Sequence, residues 1–187
     1  FWFWRYRGWA SALRWAASAF AALALAMAVP AAGLDAVPGG KVWVFAVGIL
    51  EFRKGSGYSS FPKKDRRDAA LVRHFMEDRG VPADHIVWLK DSEATLPAIR
   101  TAFRKLLKRT GGGDVLFLYY AGHGDREKPG VTFFIPYDAA SPNGARTAWG
   151  APEIIRDIEK RFRGERAILA ADCCHSGGLC RQAQEAG

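Results

Sequence analysis

The chain has only three cysteines, and all of them, Cys173, Cys174 and Cys180, lie within one eight-residue stretch. An odd number cannot pair completely, and adjacent cysteines bridge only under strain, so a disulfide-stapled scaffold is excluded. No second, spaced pair of thiols or imidazoles accompanies them, as two-pair structural zinc sites require. A zinc module built on Cys173, Cys174, His175 and Cys180, with His123 joining from afar, remains the least favoured reading of that stretch. There is no internal repeat, and no low-complexity segment after residue 33. Acids are entirely absent from residues 1–32, which carry Arg5, Arg7 and Arg14. Nor is there an apolar run of the ~18 residues or more that a membrane-spanning helix needs. The longest stretch of this kind is the alanine- and leucine-rich Trp15 to Val29.

These absences shape the reading of the ends. A positive flank, a short apolar middle and a small-residue exit at Val29-Pro30-Ala31-Ala32 are the three parts of a secretory signal peptide. Residues 1–32 are therefore expected to be a cleaved leader, with an uncleaved anchor as the runner-up. The protein would then be exported, periplasmic or extracellular, and would touch a membrane only through that segment. Residues 33–40 read as a linker and 41–187 as one folded domain, large enough for a proper core. Lysine and arginine number 27 against 19 acids. The excess is scattered, and its densest group, Arg104, Lys105, Lys108 and Arg109, falls late in one predicted helix, where cations suit the helix dipole. No nucleic-acid-binding module or basic patch with interleaved aromatics is present, so no nucleic-acid partner is expected.

What the chain does have is alternation. Lys41 to Leu50 is a near-continuous apolar run, as in a strand covered on both faces. A polar loop over 51–64 follows. From Asp65 the positions Leu71, Val72, Phe75 and Met76 have helical spacing, with Gly80 as a stop. His85 to Lys90 reads as a second strand. Leu96, Ile99, Phe103, Leu106 and Leu107 form a helical stripe started by Thr95 and Pro97 and ended by Gly111 to Gly113. Asp114 to Tyr120 is a third strand, and Val131 to Pro136 a short one beyond it. Ile154, Ile155, Ile158 and Phe162 mark a third helix, with Pro152 in its first turn. Ile168 to Ala171 is the fourth strand of the main set. This order predicts an α/β fold with an open parallel sheet and helices on both faces.

Two strands end in reactive residues. One runs into Gly122-His123-Gly124 and the other into Asp172-Cys173-Cys174-His175-Ser176-Gly177-Gly178. Open α/β sheets build their sites at the carboxyl ends of strands. A thiol attacks a carbonyl as thiolate, and a nearby imidazole supplies that state. His123 is thus a candidate base and Cys174 a candidate nucleophile. The glycines around His123 allow close approach of backbone to a substrate. His175 is less suited, because neighbours on extended chain point apart. Cys173 is expected to face the packing of the sheet as a small buried hydrophobe.

The pair YYAGHGD and DCCHSGG, in this order and 51 positions apart (174 − 123), resembles the caspase-like cysteine peptidases, closest to their metacaspase and bacterial orthocaspase branch. The likeness runs from about Lys41 to the end. It implies a caspase-like three-layer sandwich, a polypeptide substrate, and a Cys174–His123 dyad with the N–H groups of Gly124 and Cys174 as oxyanion donors. Together with the alternation and the right-handed crossover rule, it implies four parallel strands in the order 2-1-3-4 by position in the series above. It also implies cleavage after arginine or lysine. Asp65-Arg66-Arg67-Asp68-Ala69 is similar to that branch's Asn-Asp-Ala segment, and acids at Asp68 and Asp172 would line the pocket for the basic side chain. From residue type alone, Asp68 reads equally well as a first-turn helix acid. Asp172 closes an apolar strand, where an acid is costly to bury without a purpose.

The chain departs from the family pattern in three places. Ala121 replaces a serine of several relatives. The region before the third helix, Ala148 to Glu153, carries a single acid, so no metal or other cofactor is expected and calcium dependence is doubtful. The strands that follow the nucleophile strand in the family are expected to be missing. The outer edge of Ile168 to Ala171 would then be unpaired, making 33–187 alone poorly soluble and inactive. A catalytically inactive binding or scaffold domain on the same fold is the alternative function.

Overall fold

Residues 42–48 read Val-Trp-Val-Phe-Ala-Val-Gly, β-branched and aromatic throughout, and extended chain of this kind sends alternate side chains to opposite faces. The two neighbouring runs of this type join it in a parallel sheet. The computed structural model describes residues 4–5, 36, 38–126, 131–140 and 147–173. Its main sheet is formed by β1 (Trp4–Arg5), β2 (Val42–Gly48), β3 (Ile86–Lys90), β4 (Val115–Ala121) and β8 (Arg166–Asp172), in the order β1-β8-β4-β2-β3. The four long strands are parallel, and their order is the one expected from the alternation, the crossover rule and the resemblance taken together.

Three helices cover the two faces. α1 (Arg67–Arg73) lies on one, with Leu71, Val72 and Phe75 packed on Val44, Ala46, Phe117, Tyr119, Ile168 and Ala170. α2 (Leu96–Leu107) and α3 (Ala151–Arg161) lie on the other, where Ile99, Phe103, Leu106, Ile154 and Ile158 meet Phe45, Leu116, Leu118, Tyr120 and Leu169. Thr95 caps α2, its hydroxyl accepting from the Ala98 N–H at 3.4 Å, with Pro97 in the first turn. Among the described residues no helix is long and apolar enough to cross a membrane.

The structure corrects the sequence reading in two places. After Arg73 the helix widens into a π segment, His74–Asp78. The extra residue per turn shifts the phase of the stripe, and Met76 swings out to 45% exposure. Phe162 falls just past the end of α3 instead of within its stripe. The short strand expected near Val131 to Pro136 is present and, in keeping with the four-strand reading, lies outside the main sheet. It forms β6 (Thr132–Phe134) of a separate antiparallel sheet with β5 (Gly124–Arg126) and β7 (Trp149–Gly150). At the outer edge of β8, Trp4 and Arg5, which lie outside 33–187, pair antiparallel with Leu169 and Ile168. An open edge presents a row of unpaired N–H and C=O groups, and any extended segment within reach can satisfy them.

One buried acid ties the amino-terminal edge of the sheet together. Asp114, just before β4, accepts hydrogen bonds from the Lys41 and Gly111 N–H groups, each at 2.8 Å, and from Trp43 Nε1 at 2.7 Å. Its carbonyl accepts from the Glu165 N–H at 2.7 Å at the entry to β8. Asp114 thus bonds to β2 and its lead-in, to its own turn and to the segment entering β8. Asp114→Ala is expected to lower stability by about 2–4 kcal/mol, because it leaves buried donors without partners. Urea unfolding of the variant beside the parent protein checks this.

Candidate active site

At the other edge of the sheet the register decides what meets. Ala121 at the end of β4 is opposite Asp172 at the end of β8, and Gly48 at the end of β2 is opposite Ala121. His123 follows β4 by two residues. The intervening Gly122 has φ +155°, and an added Cβ would lie 2.7 Å from Tyr120 Oη and 2.9 Å from the Ile49 carbonyl. Only glycine turns the chain there. The Tyr120 hydroxyl bridges the His123 and Ile135 carbonyls at 2.8 and 2.9 Å, and the Ile135 N–H donates to the His123 carbonyl at 3.1 Å. The backbone of His123 is therefore held from both sides.

The imidazole is held as well. Its Nε2 lies 2.7 Å from the Ser59 carbonyl oxygen. A carbonyl only accepts, so Nε2 carries the proton and, in the neutral ring, Nδ1 keeps a free lone pair. Three rings pack around it, Phe61 at 4.9 Å, Phe52 at 5.1 Å and Tyr58 at 5.8 Å between centroids. All come from the loop after β2, which had read as polar. That loop is closed by the Phe61 N–H to the Leu50 carbonyl at 2.8 Å and by the Phe52 N–H to Ser60 Oγ at 2.9 Å. Its start is pinned by Asp91, whose Oδ1 accepts from the Leu50 and Glu51 N–H groups, both at 2.9 Å. Asp91 holds φ +43°, a region that aspartate tolerates better than most residues.

The two expected pocket acids lie on the α1 face of this edge. Asp68 is fully buried against Gly48, where an added Cβ would come within 2.2 Å of its Oδ2. That oxygen accepts from Arg66 Nη2 at 2.9 Å and Trp88 Nε1 at 3.1 Å, while Oδ1 is buried without a hydrogen-bond partner. Arg66 also donates to Asp91 Oδ2 at 2.9 Å. Asp172 is paired with Arg67, Nε to Oδ2 at 2.7 Å. The oxygen lies off the N–H direction, so this contact is one of charge rather than an in-line hydrogen bond. Arg67 also pairs with Asp65 and rests over the Phe61 ring at 4.8 Å. Burial pushes the Asp172 carboxyl above the usual aspartate range, against the opposing pull of Arg67. Burial, and next the charge of Asp172, push the Tyr119 hydroxyl well up, with Asp68 and Asp65 adding to it.

His123, Asp68 and Asp172 are thus gathered at the same carboxyl edge. Gly124 opens β5 and pairs with Phe134. Cys173 packs against the α2–α3 side of the core, as expected from alternation. Cys174, and with it the second oxyanion donor, lies outside the described residues, as do His175 and Cys180. Sequence reasoning passed over Ser59, Phe61, Arg67 and Asp91. Asp91 carried a weak signal, as a turn-forming acid directly after a strand.

The open parallel sheet, covered on both faces and with a held histidine at one strand end, is an α/β fold of the caspase-like kind. Residues 47–187 match the caspase domain of the peptidase C14 family, and the chain belongs to that family of cysteine peptidases. Metacaspase-7 from Arabidopsis thaliana is 33% identical over 89 residues, which is 46% of this chain and 22% of that protein. The chain therefore spans less than a quarter of that relative. Among solved structures, protein GSU0716 from Geobacter sulfurreducens superposes with a TM-score of 0.54 at 18% identity, over 78% of this chain and 61% of the other. That likeness is one of fold.

Gly122→Ala should lower stability by about 1–3 kcal/mol through the strained φ and the clash with Tyr120. Gly111→Ala, where an added Cβ meets nothing within 4 Å, serves as the control. It should stay within about 0.5 kcal/mol of the parent in the same denaturation experiment.

Proposed function

We propose that the protein is a cysteine endopeptidase that cuts after arginine or lysine. The observation that carries this reading is His123, whose Nε2 is committed to the Ser59 carbonyl at 2.7 Å, beside the strand that leads to Cys174. With Nε2–H fixed, Nδ1 takes the thiol proton of Cys174. The thiolate attacks the scissile carbonyl carbon, and the N–H groups of Gly124 and Cys174 receive the oxyanion. Such donors contribute several kcal/mol to lowering the barrier. The imidazolium then protonates the leaving amine. Water, deprotonated by the same ring, hydrolyses the thioester. Thiol and imidazole suffice for these steps, so neither metal nor other cofactor enters. Asp68 and Asp172 bind the basic side chain, a guanidinium taking two parallel bonds. We further propose that residues 1–32 direct export.

Fluorogenic peptides with arginine, lysine or aspartate before the scissile bond test the reading on the full-length gene product. Arginine and lysine should be cleaved and aspartate not; preference for aspartate overturns the pocket. Cys174→Ala should abolish turnover. Iodoacetamide should label Cys174 near neutral pH far faster than free cysteine, and labelling no faster than free cysteine identifies a non-catalytic scaffold instead.

A pH profile gives an independent check. Because burial raises the Asp172 carboxyl, the pocket loses charge on acidification earlier than an exposed aspartate would. KM for arginine substrates should therefore rise as pH falls, beginning above the ordinary aspartate range, and Asp172→Asn should flatten that rise while raising KM at neutral pH.

A further inference from the structure

We propose that Arg67 is a resident occupant of the acid pocket, a built-in competitor that an incoming arginine or lysine side chain must displace from Asp172. This rests on the reading of Asp68 and Asp172 as the pocket for a basic residue, and it adds a residue that sets how strongly that pocket binds. Its guanidinium is held between Asp65 and Asp172, with the side chains of Arg67 and Asp172 each 19% exposed. Four carboxylates, Asp65, Asp68, Asp91 and Asp172, gather around two guanidiniums, Arg66 and Arg67. The carboxylates of this cluster outnumber its guanidiniums.

The resident contacts are poorer than a substrate could make. Arg67 Nε meets Asp172 off the N–H direction, and Asp68 Oδ1 is buried with no donor. A free guanidinium offers five donors in a planar fork and can bind a carboxylate through two of them. Displaced from Asp172, Arg67 keeps Asp65 as a partner, and Asp65 is 32% exposed, so the arginine has a charged contact nearer to solvent. The swap therefore leaves no buried charge unpaired. Phe61 lies under Arg67 at 4.8 Å and against His123 at 4.9 Å, so a departing Arg67 frees a ring face next to the base.

If Arg67 merely braced Asp172, its removal would weaken cation binding. If it competes, removal strengthens it. The probe is agmatine, which carries the side-chain guanidinium of arginine, titrated into the full-length protein with parent sequence, Arg67→Gln or Arg67→Lys. Glutamine keeps a stem over Phe61 and loses the charge. Agmatine should bind Arg67→Gln at least five-fold more tightly than the parent, KM for arginine peptides should fall by a similar factor, and Arg67→Lys should stay near the parent. Unchanged or weaker binding by folded Arg67→Gln overturns the proposal. Should that variant fail to fold, the Nε–H resonance of Arg67 in 15N-arginine-labelled parent protein decides. It must shift when agmatine saturates, and a resonance that stays in place overturns the proposal. A protein that cleaves after arginine but shows no gain in Arg67→Gln loses only the role of Arg67. A protein in which neither form binds agmatine or cleaves after a basic residue loses the acid pocket itself.

Discussion

Everything at the candidate site depends on the lateral register of β2, β4 and β8. These strands are covered on both faces, so nearly every side chain on them is buried, and a slip by one residue would send each to the wrong layer. Parallel strands of this kind cannot be aligned by hairpin turns, because their connections run through helices. Asp114 supplies alignment at the amino-terminal edge, where one carboxylate and its carbonyl bond to the lead-in of β2 and to the entry of β8. With that edge fixed, the carboxyl ends stop level. Gly48, Ala121 and Asp172 stand side by side.

The level ends are then dressed by charge. Burying Asp68 completely beneath α1 would be costly for a lone carboxylate, and Arg66 and Trp88 offset that cost. Gly48 is part of the same arrangement, because no side chain can stand where Asp68 packs. Arg66 reaches on to Asp91, and Asp91 fixes the start of the loop that presents Ser59, Phe52, Tyr58 and Phe61 to His123. The acid cluster and the histidine are thus joined through a single loop. A change in one should be felt in the other.

Such an arrangement holds the neutral His123 ring in one tautomer through a backbone carbonyl. The Ser59 carbonyl orients the ring and directs the lone pair to Nδ1, while the packed rings limit its rotation.

The sequence by itself determined the layers. The uninterrupted apolar runs, the helical stripes between them and the placing of a histidine and an acid at strand ends all follow from local patterns of two and 3.6 residues, while the strand order needed the crossover rule and the family resemblance as well. Tertiary structure alone decided the partners. Nothing local marks Ser59 as the acceptor for His123, because it presents its backbone carbonyl, and every residue has one. Arg66 and Arg67 are adjacent in sequence, yet one serves Asp68 and the other Asp172, and the choice was made by where α1 settles on the sheet. Met76 fitted its stripe until a π segment, invisible to a pattern count, turned it outward. Periodicity records which face a residue takes; the partner it finds there depends on distances between elements far apart in the chain, which only packing fixes.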